Sequence, residues 1–515
     1  MRVGLFFDPN PSANFVSVEK GGNELKHVVA LLYLRFFSLA VTLGALSGVF
    51  IYLSGGICMM EDNKLELFEE KRVNELSRMA EKSSLINPEL YSKYKVKRGL
   101  RDLDGRGVLV GLTEIGEVQS TRLDEGEMVP APGQLIYRGY DIADLVKGFS
   151  ADDSYRFEET AYLLLFGHLP DKKAQMEFQQ ILALKQRLPE DFVRDMILKA
   201  PSKDIMNMLA RSVLALYSFD DNPDGTSVTN VLTQCIRLIA CFPSLAVYGY
   251  QAFVHYHGNQ SLFIHSPRAD LSTAENILFM LRSDSKYTKL EATLLDLALV
   301  LHAEHGGGNN STFMTHVATS TGTDTYSVMA AAIGALKGPR HGGANIKVVQ
   351  MFEDMKDKLK DWGDDEEIES YLNQILTKDA FDRSGLIYGI GHAVYSISDP
   401  RAVILKDYVA QLAREKGLED EFKLYATVER LAPQVIAKSS KMYKGVSANV
   451  DFYSGFVYRM LNIPPEMFTS IFAISRVVGW SAHRIEEIVN AGKIIRPAYK
   501  SVAPRRNYIT MNERM

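Results

Sequence analysis

Three histidines stand beside glycine where long apolar stretches break: His305 in HAEHGGGNNS (302–311), His341 in PRHGGAN (339–345) and His392 in YGIGHAV (388–394). Asp451 lies in NVDFYSG, and arginines occupy positions 401, 476 and 496. Taken singly, each histidine reads more simply as a helix-end hydrogen-bonding residue than as a catalyst. Taken together, neutral imidazole donors, one carboxylate base and several guanidinium clamps suit carbon-acid chemistry on a polyanionic substrate.

Other chemistries fail on spacing. A zincin needs two histidines one helical turn apart in H-E-x-x-H, whereas His302 and His305 are three apart with Glu304 misplaced. HGGG resembles the oxyanion loop of a lipase, but the chain has no G-x-S-x-G to carry a nucleophile. YGIGHAV lacks the third glycine and the preceding strand of a dinucleotide site. No residues are assigned to a metal.

The elements that must position these residues are helical. FEETAYLLLFGHLP, DFVRDMILKA, LLDLALVLHAEHG and MFTSIFAISRVVGWSAHRIEEIV repeat apolar residues every three or four positions. Short β-rich runs, VLVGLTEIGEVQS and QLIYRGYDI, interrupt this around 108–140. GPRHGG, YGIGH and SDPRA read as helix stops, and DDEEIES at 364–370 as a solvated helix start. The expected class is mainly α.

The chain of 515 residues is too long for one small core, which favours a large domain plus a smaller one. Its 46% hydrophobic and 23% charged residues are those of an ordinary globular protein. A net charge of -5 gives no basic footprint for nucleic acid. Three cysteines without C-x-x-C spacing fit a reducing, cytoplasmic compartment and exclude a cysteine zinc site.

The N-terminus conflicts with that compartment. The run from Phe36 to Met60 is uncharged and long enough to span a bilayer, which needs roughly 20 apolar residues. A membrane anchor and a cleaved signal are two readings of it. A third is that the working protein begins near Met59 or Met60, with residues 1–59 outside it. Lys26 and Arg35 favour the third, because a positive-inside anchor would put the remainder outside the cytoplasm.

HAEHGGGN, LKGPRHGGAN, GIGHAVYSISDPR, NVDFYSG and ISRVVG resemble, in order and in similar spacing, the signature segments of the citrate synthase family. PGQLIYRGYDIADL is similar to its N-terminal motif, and the resemblance covers about residues 108–500. It implies a two-domain helical fold, with a large domain formed by 60–340 and 461–515 and a mobile small domain by 341–460. It implies condensation of acetyl-CoA with oxaloacetate and water. Asp451 would take the methyl proton, His341 would hold the enol oxygen and His392 would polarise the ketone. His305, Arg401, Arg476 and, from the second subunit, Arg496 would bind oxaloacetate. Acetyl-CoA is then a substrate and no cofactor is required. The implied assembly is a homodimer of the bacterial si type, open to further association into hexamers.

The sequence departs from the family at Ser396, where many members carry a basic residue near the CoA phosphates; Lys444 could take part of that role or be a solvated loop lysine. Two rivals remain: a 2-methylcitrate synthase using propionyl-CoA, and an inactive, membrane-tethered helical binding protein.

Overall fold

A computed structural model describes residues 49–53, 56–60, 62–102, 106–125, 127–149, 155–392, 394–439, 445–490 and 492–514. The chain divides into two units, 1–110 and 111–515. In the first, β1 (Val49–Leu53) pairs antiparallel with β2 (Gly56–Met60). The rest of the apolar run from Phe36 lies outside the described residues. The charged pattern after Met60 forms α1 (Asp62–Ser84), followed by the short α2 (Glu89–Lys93).

The second unit opens with a small antiparallel sheet, β3 (Gly116–Asp124), β4 (Glu127–Tyr137) and β5 (Tyr140–Asp141), in the order β3-β4-β5. Among the described residues the elements that follow it are helices, as the apolar periodicity requires. The first helices are α3 (Ile142–Gly148), α4 (Arg156–Phe166), α5 (Lys172–Lys185), α6 (Ile205–Leu216), α7 (Val228–Gly258) and α8 (Thr273–Leu281). DFVRDMILKA forms a π-helical turn, Val193–Leu198, rather than an α-helix. Then come α9 (Lys289–His302), α10 (Asn310–Thr319), α11 (Thr325–Lys337), α12 (Ala344–Lys358) and α13 (Asp365–Leu376). The chain closes with α14 (Pro400–Lys416), α15 (Glu419–Ser439), α16 (Val450–Met460) and α17 (Phe468–Val489).

SDPRA, expected to stop a helix, starts one. Asp399 is the N-cap of α14, its carboxylate accepting from the Arg401 N–H, and Pro400 occupies the first turn. An N-terminal proline is tolerated there because its missing N–H has no intrahelical partner to lose. DDEEIES starts α13 as expected, with Asp364 as its cap.

α17 is buried at every position from Phe468 to Arg484. It packs against α4, α7, α9, α10 and α11, so a segment late in the chain completes a core begun some 300 residues earlier. The helices α12 to α16 pack mostly among themselves, α16 on α12 and α14, and α13 on α15. Among the described residues one helix, α7, is long and apolar enough to cross a membrane, but 78% of its most apolar window is buried inside the fold. Its cysteines, Cys235 and Cys241, are buried and unbridged.

Candidate active site

The YGIGH turn and the start of α16 are stitched together by backbone. Gly391 N–H donates to the Ser447 carbonyl at 2.8 Å, and Asn449 N–H to the Gly389 carbonyl at 2.9 Å. The Asn449 amide adds a bond to the Gly391 carbonyl at 2.8 Å while its own oxygen caps α16 by accepting from Asp451 N–H at 2.9 Å. Gly389 has φ +78°, and a Cβ there would lie 3.0 Å from the Phe452 Cα, so only glycine allows this approach. These bonds hold the turn that leads into His392 against the start of α16, which carries Asp451, although 59 positions separate the two residues.

His392 Nδ1 accepts hydrogen bonds from the backbone N–H groups of Val394 and Tyr395, both at 3.1 Å. With Nδ1 accepting these bonds, the proton of the ring is placed on Nε2. Tyr395 stacks on the His392 ring at 4.7 Å and meets His305 edge-on at 5.6 Å. The His305 and His392 rings are 5.2 Å apart. Behind them runs β4, where Gly133 N–H donates to the Ser398 carbonyl at 3.1 Å; a Cβ on Gly133 would collide with that carbonyl and with Tyr395.

Two buried arginines face this group in different states. Arg401 is closed on Asp399 by two parallel bonds, Nε to Oδ1 at 3.0 Å and Nη2 to Oδ2 at 2.7 Å. Asp399 also accepts from Val450 N–H at 3.2 Å, tying the starts of α14 and α16 together. Arg476, on α17, is fully buried and donates from Nε to the His302 carbonyl at 2.7 Å. Both of its terminal nitrogens are buried without a hydrogen-bond partner, as is His305 Nε2. Burial lowers the Arg476 pKa to about 10, so it remains a cation at neutral pH.

His341 sits in the turn between α11 and α12. Its Nε2 is 3.1 Å from Ser311 Oγ, a hydroxyl that accepts from Trp480 Nε1 at 3.2 Å and donates to Asn309 Oδ1 at 3.0 Å. Thr469 at the head of α17 donates to the Gly342 carbonyl at 3.0 Å, fixing the turn on the buried helix. Burial, then the nearby charge of Arg476, lowers the His341 pKa to about 4 and keeps the ring neutral. His305 is held far below the usual imidazole range, first by burial and then by Arg401, His392 and Arg476.

Asp451 moves the other way. Burial raises its carboxyl to about 6, Arg401 and Arg476 oppose the shift and Asp399 reinforces it. A carboxylate tuned close to working pH is a base that can take a proton and later return it. The group as a whole offers that base, two neutral imidazoles and a cation with unspent donors.

Six residues singled out in the sequence thus meet: His305, His341, His392, Arg401, Asp451 and Arg476. Arg496 is exposed on the segment after α17, whose neighbouring Ile495 N–H donates to Ser320 Oγ at 3.1 Å. Lys444 lies outside the described residues. Sequence reasoning missed Asp399, although SDPRA places an acid at a helix start two residues before the arginine it pairs with. It also missed Tyr137, whose hydroxyl is 3.0 Å from the Glu304 carbonyl and 3.1 Å from that of Val300. Nothing local marks such a buried tyrosine.

A helical frame around a tuned carboxylate, imidazole donors and buried guanidinium groups defines an enzyme of carbon–carbon bond formation between anionic substrates. Residues 100–498 match the family described as citrate synthase, C-terminal domain. The citrate synthase of Synechocystis sp. is 35% identical over 387 residues, 74% of this chain and 89% of that protein. The 2-methylcitrate synthase of Shewanella oneidensis is 32% identical over 381 residues, 72% of this chain and 90% of that protein. The structure of citrate synthase from Thermoplasma acidophilum in ternary complex with carboxymethyl coenzyme A and oxaloacetate is similar, with a TM-score of 0.67 and 26% identity over 81% of this chain and 99% of that one. The chain belongs to the citrate synthase family, and so to the transferases that turn an acyl group into an alkyl group on transfer.

Proposed function

We propose that this chain condenses acetyl-CoA with oxaloacetate and water to give citrate and CoA, using the residues above in the following roles. The Asp451 carboxylate takes a proton from the methyl carbon of the thioester while His341 donates to the thioester oxygen, giving the enol. With Nε2 of His341 facing Ser311, the ring presents Nδ1 to the substrate; donation from Nδ1 requires the Ser311 hydroxyl, which gives its proton to Asn309 Oδ1 in this structure, to turn toward Nε2. The enol carbon attacks the ketone carbon of oxaloacetate, and the ketone oxygen takes its proton from His392 Nε2. Water then cleaves the thioester of citryl-CoA, releasing CoA and citrate.

The observation that carries this reading is the pair of buried, unpartnered Arg476 nitrogens on a guanidinium whose charge reaches Asp451. A buried cation with open donors is costly unless an anion completes it. Oxaloacetate supplies two carboxylates. A thiol-release assay tests it: CoA should appear from acetyl-CoA only when oxaloacetate is added. Absence of release would favour an inactive binding protein.

Premature hydrolysis of acetyl-CoA is avoided if residues 341–460 act as a small domain that closes after oxaloacetate binds. The mutual packing of α12 to α16 supports this, and scattering should show a smaller radius of gyration with oxaloacetate. The active form is a homodimer in the cytoplasm, where its substrates are, with Arg496 of the partner subunit completing each site. Remixing inactive Asp451→Asn and Arg496→Ala subunits should restore roughly a quarter of normal activity, because mixed dimers keep one whole site. No recovery after proven exchange would remove Arg496 from the shared site.

The similarity to a named 2-methylcitrate synthase supports a second reading, with propionyl-CoA as the acyl donor. One methylene is worth only ~1–3 kcal/mol of discrimination. Comparing kcat/KM for the two thioesters decides between them.

A further inference from the structure

On the far side of the HAEHGGGN segment, α10 and α17 bring two more histidines together. His316 Nε2 faces His483 Nδ1 at 3.2 Å, and Glu486 Oε2 lies 3.6 Å from that same His483 nitrogen. The three ligating atoms all fall within 4.8 Å of one another. Donor atoms 2.0–2.1 Å from a tetrahedral zinc ion lie about 3.3–3.4 Å apart, close to the 3.2 and 3.6 Å spacings on either side of His483 Nδ1, and a rotation of the Glu486 carboxylate would bring the third spacing into range.

The outer contacts fit as well. His316 Nδ1 is 2.8 Å from Glu487 Oε2, and His483 Nε2 is 3.1 Å from Glu304 Oε1. Each imidazole therefore turns one nitrogen to a carboxylate and the other toward its neighbour, the orientation that a carboxylate imposes on a metal-ligating histidine. Glu486 is anchored through its other oxygen, which accepts from Glu114 N–H at 2.8 Å, leaving Oε2 buried and without a hydrogen-bond partner. Three carboxylates around two imidazoles make a site whose charge a dication balances better than one shared proton does.

We propose that His316 Nε2, His483 Nδ1 and Glu486 Oε2 form a binding site for one divalent transition metal of the zinc class, with Glu304 and Glu487 orienting the two rings. Mixed nitrogen and oxygen donors favour such an ion over magnesium or calcium. Gly307 packs against both rings, a Cβ there lying 3.5 Å from His316 Nε2 and 3.6 Å from His483 Cε1. A bound ion would thereby fix the loop that follows His305 onto α17. None of the three ligands is a residue assigned to the substrates, and the site does not depend on the reaction proposed above, although Glu304 lies within reach of the Arg476 charge.

The test uses the full chain, stripped with chelator, dialysed and titrated with Zn²⁺ by calorimetry, with metal content counted by mass spectrometry. One Zn²⁺ per chain is expected. In the unaltered chain Co²⁺ should give a visible spectrum of nitrogen and oxygen ligands without thiolate charge transfer, which rules out the cysteines. Glu487→Gln, which keeps the shape of this largely buried side chain, should weaken Zn²⁺ binding ~10–100-fold. His316→Ala and Glu486→Gln should weaken it more, and Zn²⁺ should raise the Tm of the parent but not of these variants. Failure of the unaltered chain to bind Zn²⁺ or Co²⁺ would overturn the proposal and leave a proton-shared histidine pair. So would binding that is equal in parent and Glu487→Gln chains, or a thiolate spectrum.

Discussion

Glu304 and His305 are neighbours in sequence and belong to opposite kinds of buried polar site. Glu304 is closed in: Gly116 and Gly479 leave room for its carboxylate and nothing else, His483 lies 3.1 Å from it, and His316 and Glu487 extend the chain of charges. Each member has a neighbour of opposite or complementary character. His305 Nε2 and the terminal nitrogens of Arg476 are instead buried with no hydrogen-bond partner. The closed cluster holds helices α10 and α17 to the loop, whereas the open one is incomplete without an anion. Glu304 and His483 also bury atoms without hydrogen-bond partners but face each other as an ion pair. It is therefore a buried cation with bare donors, more than an unsatisfied group as such, that marks where an anionic substrate belongs.

The contrast is broken most severely at the base. Asp451→Asn should cut turnover by ~10²–10⁴-fold, since the amide cannot take the methyl proton, while calorimetry still detects oxaloacetate binding. Near-normal thiol release from that variant would return Asp451 to a structural role.

The next effect separates the two arginines. Asp399→Ala leaves Arg401 buried without its carboxylate and uncaps α14, and should cost about 3–5 kcal/mol of folding stability in chemical denaturation. Arg476→Met removes a guanidinium that the protein itself hardly pairs, so its folding cost should be smaller. Its oxaloacetate affinity should nevertheless drop by about 1.5–3 kcal/mol, the worth of charge-assisted hydrogen bonds. Equal folding costs for the two variants would erase the distinction between a closed and an open site.

The mildest test is pH. The base works deprotonated, and burial places the Asp451 carboxyl near 6 rather than near the ordinary value of about 4. kcat/KM should therefore be flat toward neutrality and fall as pH drops through about 6. An acid limb near pH 4 would mean that the chamber does not tune the base.

Much of the scaffold was legible in sequence because helices are written locally. Apolar periodicity announced α4, α9 and α17, and glycine beside histidine marked the turns that hold His341 and His392. The six clustered residues were also found from their types, since donors, a base and cations are recognisable one by one and the resemblance fixed their order. SDPRA was misread because proline ends a helix from within but starts one from its first turn, and residue identity alone does not say which side the helix lies on.

What only the tertiary structure decided is pairing across distance. The Arg401–Asp399 pair is local, two residues apart at the start of α14, but that Arg476 is left open depends on which helices meet around α17. His316 and His483 are 167 positions apart and come within 3.2 Å only because α17 returns through the core against α10. The Asp451 shift has the same origin: a carboxyl's type is set by its residue, but its affinity for a proton is set by the water removed and the charges brought near when the chain closes around it.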